Sequence, residues 1–200
     1  MFEGRWLPSR VLDGTEAGHF GKSRSTGLVV ERLDELGLAT VTARRGCDAA
    51  LSEAVLRHYG IESPTGPRWV QGTTVGMAGC GLGHWLAVSS ELKYGALCAD
   101  LVSKLDPFAT ICDQSDGRVV LRIQGPRVRE VLAKCIPIDL HPRAFCPGIA
   151  ASTVTGHIAV QLWQRDESPT YELVVLRSFA SSLWSWLRDC AAPFGCELRL

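Results

Sequence analysis

DQSDGRVVLRIQGPRVREVLAKCIPIDLHPRAFCPG, residues 113–148, is the stretch on which the reading of the fold turns. It opens with a polar turn. Asp113, Ser115 and Asp116 stand before Gly117, and Asp and Ser side chains bond nearby backbone N–H groups in turns. Residues 118–124 then alternate, with Val119, Leu121 and Ile123 on one face, the period of a half-buried strand. Gly125 and Pro126 open a helix, since proline is tolerated at the first helical position. Val128, Val131, Leu132 and Cys135 form its apolar stripe. Pro137, Pro142 and Pro147 mark the loop that follows.

The same order occurs upstream. Residues 38–43 (LATVTA) read as a strand that ends near Gly46. A helix over residues 49–59 carries Leu51, Ala54, Val55 and His58 at helical spacing and stops at Gly60. Residues 63–67 (SPTGP) form a turn. Residues 85–89 predict a strand. Residues 92–105 predict a helix with Tyr94, Leu97, Cys98, Leu101, Val102 and Leu105 on its stripe, ended by Pro107. Downstream, residues 157–162 and 171–176 are strands. A last helix over 178–190 turns Phe179, Leu183, Trp186, Leu187 and Cys190 inward. Trp184 lies just off that stripe, as a core-edge residue or a partner-facing anchor. The fold class expected is α+β, with duplicated strand-helix-strand halves, mixed or mainly antiparallel sheets and packed helices. Residues 1–28, rich in glycine and without a period, are expected as an irregular N-terminal arm. Residues 29–200 form one domain of two pseudo-repeats, 29–110 and 111–200.

Composition narrows the function. Acidic and basic residues balance at 21 each in 200 residues. That excludes the basic excess of a nucleic-acid protein and a polybasic membrane anchor. No apolar run approaches the ~20 residues of a membrane-spanning helix. No signal peptide is visible at the N-terminus, so a cytoplasmic location is expected. The eight cysteines include no C-x-x-C and are expected to be reduced thiols.

The chemical motifs are thin. The glycine cluster over residues 76–83 does not match G-x-G-x-x-G and lacks the P-loop lysine, so it reads as a tight turn before a strand. Cys80 and His84 offer two of the four ligands of a closed zinc site. No G-x-S-x-G elbow occurs. His58 reads as a packing residue. His141, between Asp139 and Arg143, reads as a loop-pinning group, with a small hydrolase as the remote alternative. Arg118, Arg122, Arg127, Arg129, Arg143 and Arg177 share their half of the chain with a single lysine, Lys134. Arginine is enriched and lysine depleted at protein interfaces.

The motif D-x-S-D-G-R, the following strand, G-P-R opening a helix with V-L-A-K, and D-L-H-P-R-x-F-x-P-G together resemble the gamma subunit family of heterotetrameric sarcosine oxidase. Leu162, Trp163 and the run RSFASSLWSWL at 177–187 resemble its C-terminal pattern. Residues 38–43 and Gly83–Leu86 correspond more loosely, and His84 stands where relatives tend to have an acid. The likeness spans residues 28–195 and is most specific over 113–187.

That resemblance implies a fold related to the folate-binding domain of the glycine-cleavage T-protein. It implies a complex with alpha, beta and delta subunits that oxidatively demethylates an N-methyl amine, with one-carbon transfer to tetrahydrofolate. FAD, FMN, NAD, tetrahydrofolate and zinc would reside in the other subunits. This chain would bind no cofactor or metal, supply no catalytic residue and pack chiefly on alpha, with no nucleic-acid or membrane partner. The expected partner-interface residues are Asp116, Arg118, His141, Arg143, Arg177 and Trp184. The rival expectation is a stand-alone folate-binding protein of T-protein or YgfZ type.

Overall fold

A computed structural model of the chain describes residue 12, residues 15–21 and residues 25–200. The elements begin with β1 (Gly18–Phe20) and β2 (Leu28–Leu33). Next come β3 (Gly37–Ala43), α1 (Asp48–Tyr59), β4 (Trp69–Gln71), β5 (Gly76–Gly81), β6 (His84–Ser89), α2 (Gly95–Leu105) and β7 (Ala109–Asp113). The chain continues through β8 (Arg118–Gln124), α3 (Val128–Cys135), β9 (Ala150–Thr155), β10 (Ile158–Gln164), β11 (Tyr171–Leu176), α4 (Ala180–Ala191) and β12 (Cys196–Arg199). A single 3-10 turn, Arg177–Phe179, joins β11 to α4.

From β3 onward the order strand, helix, three strands, helix, strand runs through twice. The first run makes a five-stranded antiparallel sheet, β4-β5-β6-β3-β7. The second repeats that order in a seven-stranded sheet, β1-β12-β2-β8-β11-β10-β9, with β2 inserted between β8 and β12. The β12–β2 pair is parallel and its other pairs are antiparallel. The α+β class with mixed, mainly antiparallel sheets is therefore what the chain adopts. Residues 29–33 of β2, placed by sequence at the start of the first pseudo-repeat, pair in the sheet of the second.

Strand alternation puts different residues on the two faces of each sheet. On β8, Val119, Leu121 and Ile123 face α3 and α4, where Val131, Leu132, Leu183 and Leu187 join them. Val41, Met77 and Ala87 face α1 and α2, against Leu51, Val55, Leu97 and Leu101. The remaining faces meet each other: Leu38, Trp69, Leu86 and Val88 from one sheet touch Val120, Trp163 and Val174 from the other. The layers run helix, sheet, sheet, helix. At the seam, Trp69 and Trp163 stack with centroids 4.4 Å apart and planes 5° from parallel.

Several local expectations are corrected. The glycine cluster is a turn only at its end: residues 76–81 are strand β5, and the tight turn before β6 is residues 82–83. A Cβ at Gly76 would come within 2.4 Å of the Trp69 ring, and one at Gly79 within 1.9 Å of the Gly66 carbonyl oxygen. Neighbouring atoms, not a bend, require these glycines. The α4 stripe is rotated. Trp184 is 2% exposed and meets Phe20 of β1 edge-on at 5.4 Å, while Trp186 and Phe179 are 42% and 46% exposed. The cause is β1, which covers the Trp184 side of the helix. This strand lies within the segment expected to be an irregular arm; residues 1–11, 13, 14 and 22–24 of that arm lie outside the described residues. His58 is exposed rather than packed. The second helix starts at Gly95, after Tyr94 takes a positive φ of 49°. All eight cysteines are free. No helix among the described residues is long and apolar enough to cross a membrane.

Candidate functional site

The turn at residues 113–117 carries the chain from one sheet to the other. Ser115 Oγ accepts the Leu38 N–H at 3.0 Å and bonds Asp113 Oδ1 at 2.7 Å. The same carboxylate oxygen accepts the Ser115 N–H at 2.9 Å. The Gln114 N–H donates to the Leu38 carbonyl at 2.8 Å, and the Arg177 N–H to that of Gly117 at 2.9 Å. Arg177 Nε donates to the Asp116 carbonyl. A serine and an aspartate thus satisfy the turn's own backbone, and the turn is clamped between β3 and the 3-10 turn.

This clamp holds Asp116, Arg118 and Arg177 on one cavity of about 690 Å³, together with Arg32 of β2 and Asp34 and Glu35 from the β2–β3 connection. Arg118 is half-buried at the start of β8. Its Nε donates to Gln114 Oε1 at 3.2 Å and its Nη1 to Gln161 Oε1 at 3.1 Å. Both partners are uncharged. Arg32, by contrast, is held by both carboxylate oxygens of Asp34 at 2.7 and 2.8 Å, and Glu35 pairs with Lys93. Among the described residues neither Arg118 nor Arg177 forms an ion pair. Two guanidinium groups fixed by neutral acceptors keep fork-shaped donor capacity for a carboxylate.

The other expected interface residues lie elsewhere. His141 and Arg143 are exposed in the loop after α3. Asp139 Oδ1 accepts the His141 N–H at 2.9 Å, and His141 Nδ1 accepts the Arg143 N–H at 3.2 Å. The Phe145 N–H returns to the His141 carbonyl, and Phe145 is buried against Tyr171. These bonds pin the loop. Trp184, in the core, cannot serve as the partner-facing anchor, and Trp186 is the exposed tryptophan of α4.

Cys80 and His84 do not converge. Cys80 Sγ accepts from Gln161 Nε2 at 2.8 Å, whereas His84 Nδ1 meets Thr42 Oγ1 at 3.1 Å. Burial raises the Cys80 thiol above its ordinary range, partly opposed by the backbone and by the Arg118 charge. Among the described residues no three His, Cys, Asp or Glu side chains gather as a metal site.

Sequence reading missed a buried acid. Glu172 on β11 is 3% exposed. It accepts from Trp163 Nε1 at 2.8 Å and Arg122 Nη2 at 2.9 Å, with Arg165 at 3.7 Å. Arg165 in turn lies over the Trp69 ring at 5.4 Å. The arrangement pins the sheet seam. Its one sequence signal was Glu172 interrupting an apolar strand.

The model of the family described as "Sarcosine oxidase, gamma subunit family" matches residues 44–193. A sarcosine oxidase subunit gamma from Corynebacterium sp. (strain P-1) is 37% identical over 96% of both chains. One from Arthrobacter sp. is 33% identical over 94% of both. Among solved structures, a chain of the heterotetrameric sarcosine oxidase from Corynebacterium sp. U-96, in complex with pyrrole 2-carboxylate, superposes with a TM-score of 0.72 at 27% identity, covering 84% of this chain and 85% of that one. The glycine cleavage system aminomethyltransferase T from Bartonella henselae shares the fold, with a TM-score of 0.65 at 13% identity, over 88% of this chain and 48% of that chain.

Proposed function

The chain belongs to the sarcosine oxidase gamma subunit family, and from that premise we propose that it is the non-catalytic gamma subunit of a heterotetrameric, sarcosine oxidase-like complex. The complex oxidises the CH–NH group of sarcosine or a related N-methyl amine and passes the one-carbon unit to tetrahydrofolate. FAD, FMN, NAD, tetrahydrofolate and zinc belong to the alpha, beta and delta subunits. This chain contributes surface and rigidity, chiefly to alpha, in the cytoplasm. The relatives' designation as subunit gamma and the match to a chain of a heterotetramer support the assembly.

The observation that carries the docking role is the cavity at the seam. Arg118 and Arg177 sit on it fixed and, among the described residues, without an ion pair, with Asp116 beside them. A carboxylate on a partner's surface would complete them with charge-assisted bonds. Arg143 and His141, on their pinned loop, form a second and separate contact.

The test is co-expression with candidate alpha, beta and delta subunits. A soluble flavin-containing complex that retains this chain is expected. Arg118→Glu with Arg177→Glu should weaken its retention at least about tenfold, since like charges facing each other cost several kcal/mol. Retention unchanged by the double reversal would remove these arginines from the interface. Tight tetrahydrofolate binding by the isolated chain would instead support a stand-alone folate-binding protein.

A further inference from the structure

A second cavity, of about 710 Å³, lies at the opposite rim of the seam, within the size range of small-molecule sites. Its walls are mostly apolar and backbone: Pro64, Gly79, Gly81 and Trp85 from the first repeat, closed by Ser152 of β9. Two stretches singled out in the sequence meet here, the glycine cluster and the SPTGP turn. Their junction is fixed. Trp85 Nε1 donates to the Pro64 carbonyl at 2.8 Å, and the Gly79 N–H to that of Arg68 at 2.8 Å. The missing side chain at Gly79 lets the Gly66 backbone come within van der Waals reach.

One polar group on this wall stands out. Ser63 is 9% exposed, lines the cavity, and its Oγ has no hydrogen-bond partner among the described residues. A buried hydroxyl left unpaired costs free energy, and a ligand that bonds it recovers that cost. Asp48 is the one charged side chain on the lining. Its carboxylate reaches the turn of the β5–β6 hairpin, where a Cβ at Gly83 would lie 3.5 Å from Oδ1. Placed in the first turn of α1, it also offsets the positive end of that helix. The one formal charge on the lining is therefore negative, opposed from behind the wall by Arg118, whose charge reaches Cys80.

We propose that this cavity binds a small, largely apolar molecule that is uncharged or cationic, with a polar hydrogen or acceptor directed at Ser63 Oγ. The site lies apart from the docking surface around Arg118 but is joined to it through Gln161, which accepts from Arg118 Nη1 and donates to Cys80 Sγ on the cavity wall.

Three probes of one shape test it on the full-length chain: indole, its cationic relative tryptamine and its anionic relative indole-3-acetate, followed by amide chemical shifts. Indole and tryptamine should give saturable shifts at Gly79, Gly81, Leu82 and Gly83, and indole-3-acetate should bind at least about tenfold more weakly. Ser63→Ala should weaken indole binding about fivefold, the worth of one hydrogen bond, while leaving the fold as stable or more so. Gly81→Leu, at a position where an added Cβ meets nothing within 4 Å, should fill the site and abolish binding without unfolding the chain. Absence of saturable shifts at these amides, equal binding of the anionic probe, or unchanged affinity in Gly81→Leu would each overturn the proposal.

Discussion

Replacing Glu172 by leucine removes the acid at the centre of the seam while nearly preserving volume. Trp163 is fully buried, and its indole N–H would lose its 2.8 Å acceptor, a loss worth about 1–3 kcal/mol. The arginines suffer less. Arg122 and Arg165 side chains are 34% and 31% exposed, so both can turn towards water, for about 0–1 kcal/mol each. Glu172→Leu should therefore destabilise the chain by about 1–5 kcal/mol. At about 2–4 °C per kcal/mol for this chain length, Tm should fall by about 2–20 °C. Glu172→Gln keeps an oxygen for Trp163 and should cost about 1 kcal/mol. Urea unfolding of both variants, combined with Trp163→Phe in a double-mutant cycle, measures the coupling directly, with about 1–2 kcal/mol expected. Glu172→Leu within about 0.5 kcal/mol of the wild type, or additive behaviour with Trp163→Phe, would refute the pinning role.

Two other outcomes follow from burial. Trp184→Ala should cost about 3–5 kcal/mol by opening a cavity under β1, whereas Trp186→Ala, at a 42% exposed position, should cost under about 1 kcal/mol; comparable Tm losses would restore the helix rotation expected from sequence. On the alkaline side, burial pushes the Cys196 thiol up from 9.0 to about 12. Burial, the hydrogen bond to Asp100 and its charge push the Tyr59 phenol well above its usual 10.0. Both groups favour the protonated form when folded, so their stabilisation is complete below about pH 9 and is lost as pH rises towards 12. Thermal midpoints should decline over that window, and Cys196→Ala should flatten the decline above pH 9; a slope unchanged in the variant would contradict the assignment.

The sequence was most legible where period and packing agree. Strand β8 and helix α3 lie close to where residues 113–148 put them, because alternation and the apolar stripe each have one buried face to satisfy. It was least legible where a distant segment decides. The glycines of β5 look like a loop until Trp69 and Gly66, brought in from another strand and turn, occupy the space above them. The face of α4 depends on a three-residue strand more than 150 positions away. Of the six interface candidates, Asp116, Arg118 and Arg177 share a cavity only because β11 returns beside β8, pairing Leu176 with Arg118. His141 and Arg143 sit on a loop that closes on itself, and nothing in their spacing marks it as separate from that cavity.

The insertion of β2 between β8 and β12 also bears on the order in which the chain can fold as it leaves the ribosome. The five-stranded sheet and its two helices use residues 37–113 alone, so they can close while translation continues. The seven-stranded sheet cannot. Its register sets Leu28 against Cys196 and Glu31 against Arg199, so one of the earliest strands waits for the last to be synthesised. Closing so long a loop is slow, and until then an apolar edge of β2 stays unpaired. Nascent chains of this protein should therefore pass through a half-built stage in which the first repeat is finished and the second still seeks its final strand, the stage at which chaperones would hold it longest.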